Sequence, residues 1–170
     1  MSNKPYNVLF LCTGNSARSI LGEALMNTLG RQRFKAYSAG SHPKGQVHPF
    51  ALEILRALDI PTDALRSKGW EEFAQPSAPQ MDFVFTVCDR AAAEPCPIWP
   101  GQPATAHWGI PDPAAVEGTL EQQRRAFTDT LHILETRIRL LLALRLEVLD
   151  RLKLKHELEA IGKSQPEKPL

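Results

Sequence analysis

The strand-to-helix junction over residues 8–29 constrains this chain more than any other stretch. Val8 to Leu11 is a continuous apolar run that stops at Cys12, the pattern of a parallel strand buried on both faces. From Ser16 to Leu29 apolar residues return at helical spacing (Ile20, Leu21, Ala24, Leu25 and Leu29), with Gly30 as the stop. Between the two lie only small or polar residues, Thr13, Gly14, Asn15, Ser16 and Ala17, before Arg18. A strand that runs directly into a helix is the first unit of an alternation, and strands alternating with helices imply a mostly parallel sheet with helices on both faces.

The rest of the chain repeats the alternation. Strands are expected over Phe34–Ala39, Met81–Val87 and Thr105–Trp108, and helices over His48–Leu58, with Pro49 in its first turn, and Ser67–Phe73. Glu94 to Pro103 is a Pro-rich loop, and a long helix starts at Thr119. The fold class is α/β: a three-layer α/β/α unit on a four-stranded parallel sheet with right-handed crossovers. Ligands of such sheets sit at the carboxyl ends of strands, where the strand order reverses. Cys12, Cys88 and the Asp112 loop all follow strand ends.

The domain is expected over 1–144. Residues 145–170 are read as a helical extension with a disordered tail. Leu131, Leu134, Ile138, Leu141, Val148 and Leu152 lie near a 3.5 period. Such a stripe packs on its own domain or forms a coiled-coil contact between two copies.

Composition narrows the function. With 170 residues, 43% of them apolar, the chain can bury one core. Its 20 basic and 19 acidic residues give a net charge of +1, which argues for neither nucleic acid nor an anionic membrane as partner. No apolar stretch reaches bilayer length, and the N-terminal run is too short for a secretory leader. The expected location is the cytoplasm, where three cysteines are not a structural disulfide framework. There is no CxxC and no histidine at zinc spacing, so no metal site is expected.

A small-residue loop at a helix N-terminus can turn its N–H groups inward around a tetrahedral oxyanion. Thr13 to Ala17 supply that backbone, and Arg18 adds a fork for two anion oxygens. The same field predicts a Cys12 thiol lowered toward thiolate at neutral pH.

Cys12, five residues, Arg18 and Ser19, with Asp112 in "PDP" at 111–113, resemble the phosphate loop and late Asp-Pro of the low-molecular-weight protein tyrosine phosphatases. The order of elements from Asn7 to Leu142 resembles that family as well, which implies a phosphotyrosine phosphatase I-like fold. The resemblance implies that Cys12 is the nucleophile, Arg18 the anion clamp, Asp112 the general acid, Ser19 a hydroxyl assisting the thiolate, and Asn15 a loop-shaping residue. Within that superfamily, "CDRAAAEPCPIWP" and "TAHWGIPDP" resemble the thioredoxin-coupled arsenate reductases. Ala114 and Ala115 stand where the phosphatases often carry tyrosines.

That resemblance implies a relay. Cys12 attacks arsenate, Cys88 resolves Cys12, Cys96 resolves Cys88, and thioredoxin, glutaredoxin or a low-molecular-weight thiol reduces the final disulfide. No tightly bound cofactor is implied. The alternatives are a phosphomonoesterase working through a Cys12 phosphocysteine, with Cys88 and Cys96 incidental, and a non-catalytic oxyanion sensor. Some of these reductases bind potassium beside the loop. Asn15, Glu23 and Ser38 match the supporting positions, and Lys68 stands where an ammonium would replace the ion, unless it is only a solvated charge.

Overall fold

The computed structural model describes residues 4–94, 97 and 99–166. Four strands, β1 (Tyr6–Cys12), β2 (Phe34–Gly40), β3 (Phe83–Thr86) and β4 (Ala104–His107), form one parallel sheet in the order β2-β1-β3-β4. β1 is central, and Val8 to Leu11 are wholly buried, as their unbroken apolar run requires. The register pairs Cys12 with Gly40, Leu11 with Thr86, and Thr86 with His107. All four strands therefore end along one edge, and the order reverses between β1 and β3, the place such sheets reserve for a ligand.

Strand alternation divides the core. Val8 and Phe10 face α1 (Arg18–Leu29), α2 (Pro49–Ala57) and α4 (Leu120–Leu142) in the larger apolar cluster. Leu9 and Leu11 face the thinner layer on the other side, with Trp70, Phe73, Met81 and Trp99. α3 (Asp89–Ala93) is a single short helix directly after Cys88. A capping box opens α4, with Thr119 Oγ1 accepting from Gln122 N and Gln122 Oε1 from Thr119 N.

Residues 67–69 differ from their expected helical form. Only Trp70–Phe73 makes a turn of 3₁₀-helix. Gly69 instead forms a parallel bridge with Gly40, Lys68 N donates to Asn15 Oδ1, and Ser67 Oγ donates to Gly14 O. These contacts tie residues 67–69 to the Cys12 loop and to β2 rather than to a helix.

Beyond α4 the chain turns through Leu146–Val148 into α5 (Arg151–Ile161). α5 packs along β4, burying Leu158 and Ile161 in the main core. Trp108 is fully buried, stacks on Phe85 with centroids 3.9 Å apart, and donates its indole N–H to Leu158 O. The apolar stripe is therefore not one seam. Leu131, Leu134, Ile138 and Leu141 are spent on the chain's own core, while Val148 and Leu152 face solvent beyond the break. A coiled-coil contact would need them continuous. Among the described residues no helix is long and apolar enough to cross a membrane.

Candidate active site

The Cys12 loop begins where β1 leaves the sheet. Gly40, its partner on β2, lets Thr13 O come so close that a β-carbon would collide with it. The loop's path is then fixed by Asn15, whose backbone is left-handed at φ 44°, a conformation Asn tolerates better than most residues. Asn15 Nδ2 donates to Ser19 Oγ at 2.8 Å, and its Oδ1 accepts from Lys68 N at 2.9 Å. No side chain caps the N-terminus of α1 at Ala17, so the helix start keeps its N–H groups for the loop.

Cys12 Sγ sits inside this frame. Asn15 N donates to it at 3.1 Å, and Ser19 Oγ lies 2.8 Å away. Both contacts favour thiolate. Burial outweighs them: Cys12 is 3% exposed, and desolvation pushes its thiol above the ordinary value. That direction runs against the lowering expected from the loop, because the strand that delivers Cys12 also takes it out of water.

Arg18 spans the cleft. Its Nη1 donates to Ile110 O at 3.0 Å, and its Nη2 lies 3.8 Å from Asp112 Oδ2. Asp112 caps the turn Pro113–Ala115 by accepting from Ala114 N at 3.0 Å, which leaves its second oxygen toward Arg18. Cys88 stands across the reversal point, buried at the N-terminus of α3, and accepts from Ala91 N. Its Sγ is 3.5 Å from Thr13 Oγ1. A cleft of about 890 Å³ has Cys12, Arg18, Cys88 and Asp112 in its wall together with Thr13 to Ala17. Cys96 lies outside the described residues.

Behind the loop, Ser38 Oγ donates to Glu23 Oε1 at 2.6 Å and the Lys68 ammonium lies 3.7 Å from the same oxygen. Burial pushes the Glu23 carboxyl up and the Lys68 ammonium down, each opposed by the other's charge. Among the described residues no three metal-ligating side chains converge.

His42, Lys44, Asp89 and Arg90 also line the cleft and do not stand out in the sequence. Lys44 lays its stem over Gly14 and donates its N–H to Gly14 O. The signal was present: His42 and Lys44 directly follow the end of β2, which reaches the same edge as β1 and β3.

The geometry gathers a buried thiol in a loop of small residues, an arginine, a carboxylate and a second thiol around one cleft. The family model described as low molecular weight phosphotyrosine protein phosphatase matches residues 7–157. The chain is 32% identical over 120 residues to an arsenate reductase of Oceanobacillus iheyensis, covering 71% of this chain and 83% of that protein. It superposes on a solved arsenate reductase in the phosphate binding state with a TM-score of 0.61 at 26% identity, covering 79% of this chain and 97% of the other. A thioredoxin-dependent arsenate reductase of Corynebacterium glutamicum shares the fold, with a TM-score of 0.60 at 23% identity over 84% of this chain and 62% of that longer one. In fold, loop and sequence the chain belongs to the low-molecular-weight phosphotyrosine protein phosphatase family.

Proposed function

We propose that this chain reduces arsenate to arsenite through a cysteine relay and draws its electrons from thioredoxin or a similar thiol donor. The observation that carries the reading is Cys88: a buried second thiol on the wall of the oxyanion cleft, touching the Cys12 loop through Thr13. Ester hydrolysis has no use for it. Reduction does, because two electrons must come from a pair of sulfurs.

Arsenate enters the loop as a tetrahedral anion, held by the N–H groups of residues 13–17 and by Arg18. Cys12 attacks through sulfur, and its thiol proton passes to an oxyanion oxygen as attack begins. An S–As bond forms, and one oxygen leaves as water with a proton from Asp112. Cys88 Sγ then attacks Cys12 Sγ. The S–As bonding pair stays on arsenic, which departs as arsenite, and a Cys12–Cys88 disulfide remains. Cys96 attacks Cys88 and frees Cys12 as a thiol. An external dithiol reduces the Cys88–Cys96 disulfide. The step from Cys88 to Cys96 requires the chain between them to loop back, since sulfur bridging requires Cα atoms about 4.4–6.8 Å apart.

Lys68 serves as the resident cation beside the loop. Its ammonium neutralises Glu23 and its N–H holds Asn15, so the reaction needs no potassium.

The test is arsenate-dependent NADPH oxidation with thioredoxin and thioredoxin reductase, for the wild type and for Cys88→Ser and Cys96→Ser. Loss of turnover in both variants supports the relay. Steady hydrolysis of an aryl phosphate that survives both substitutions, with no arsenate turnover, overturns it.

A further inference from the structure

Arg137 is a second guanidinium gripping the segment that leads to Asp112, and the relay leaves it unused. It lies on α4 and is 1% exposed. Buried arginines are almost always paired with an acid. Here the donors go to backbone carbonyls instead. Nη1 reaches Trp108 O at 2.8 Å and Gly109 O at 3.1 Å, and Nε reaches Ser164 O at 3.2 Å, just past the C-terminus of α5.

From the cleft side, Arg18 holds the next carbonyl, Ile110 O, and brings its other nitrogen to Asp112. Two arginines thus hold three successive carbonyls, 108 to 110, from two elements of the fold. Asp112 lies two residues farther. Trp108 cannot drift to relax this grip, because its ring is stacked on Phe85 and its N–H is bonded to Leu158 O. Only a planar fork with five donors can serve several carbonyls at once.

The geometry points to Arg137 as a positioning residue for the proton donor: it fixes Trp108 and Gly109 from α4, and the turn after α5 anchors it. This rests on the reading of Asp112 as the acid. It also gives the C-terminal helix a part in the reaction, as the backing of the Asp112 loop.

The experiment is single-turnover arsenite formation by the reduced full-length protein, with arsenate varied to separate the saturating rate from half-saturation. The proteins are the wild type, Asp112→Asn, Arg137→Gln and the double variant. Asp112→Asn should slow the saturating rate by roughly 10²–10⁴-fold. Arg137→Gln should slow it by on the order of 10- to 100-fold with half-saturation little changed. The double variant should match Asp112→Asn within about twofold, as for two groups acting in one unit.

Losses that multiply in the double variant overturn the inference, since a merely structural arginine would weaken both backgrounds alike. An Arg137→Gln rate equal to wild type overturns it as well. If Asp112→Asn alone keeps the wild-type rate, the acid reading fails and this inference falls with it. Should Arg137→Gln not fold, Arg137→Lys enters the same cycle. Its expected result is a smaller loss that disappears in the Asp112→Asn background, and a loss that persists there overturns the inference.

Discussion

The Lys68 ammonium lies 3.7 Å from Glu23 Oε1, and both side chains are about nine-tenths buried directly beneath the oxyanion loop. On the proposed role of Lys68, this internal cation takes the place of a dissolved one. We expect wild-type turnover to be equal in potassium and sodium salts at matched ionic strength. A several-fold potassium stimulation would sink the assignment of Lys68.

Removing one member of this pair leaves a buried charge uncompensated, which costs about 3–5 kcal/mol in other proteins. Lys68→Met should therefore lower stability by about that amount. Glu23→Gln, which keeps a hydrogen-bond acceptor for Ser38, should cost less than Glu23→Ala. Denaturant melts of the three variants give the ordering directly.

The Cys12 thiol is held above its ordinary value of 9.0 by burial. The folded protein thus binds this proton more tightly than the unfolded chain. The associated stability is fully present below the unfolded value and is lost as pH rises through the folded one. Alkylation of Cys12 in the Cys88→Ser, Cys96→Ser background should accelerate with a midpoint above 9.0. A midpoint below 7 would restore the thiolate that the loop sequence suggested.

Asn15 combines a left-handed backbone with three hydrogen bonds. Asn15→Ala loses the side-chain bonds and keeps the unfavourable φ. Asn15→Gly loses the same bonds and relaxes the backbone. Both should weaken arsenate binding, with glycine the more stable of the two by about 1 kcal/mol. Equal stability would mean that the backbone conformation carries no cost here.

Trp108→Phe removes the indole bond to Leu158 and part of the stacked ring. A net hydrogen bond is worth about 1 kcal/mol, and lost volume adds to it. The expected loss is about 2–3 kcal/mol in chemical denaturation. A smaller loss than that of an exposed control, Leu152→Ala, would show that α5 is not bound to the sheet through Trp108.

What the sequence disclosed follows from what each residue does alone. The run Val8–Leu11 and the repeat of Ile20, Leu21, Ala24 and Leu25 mark β1 and α1 because burial is written in local periodicity. The Cys12 loop was legible because its chemistry lies within seven consecutive residues. Non-helical residues 67–69 were not, since their conformation answers to Gly14, Asn15 and Gly40, distant in sequence. The burial that pushes the Cys12 thiol up was hidden for a related reason: helix dipole and arginine can be read from order, but depth beneath the surface cannot. α5 carries too weak an apolar face to announce that β4 and Trp108 need covering.

The sequence distances that join the cleft are long: 53 residues from Asn15 to Lys68, 75 from Thr13 to Cys88, and 92 from Arg18 to Ile110. Contacts of such span are slow to close and form only after strand pairing has brought the segments together. During refolding the strands and α1 can therefore be present while Cys12 is still open to water and reactive. Protection of that one sulfur from a thiol reagent then marks the moment when the last long-range closures are complete.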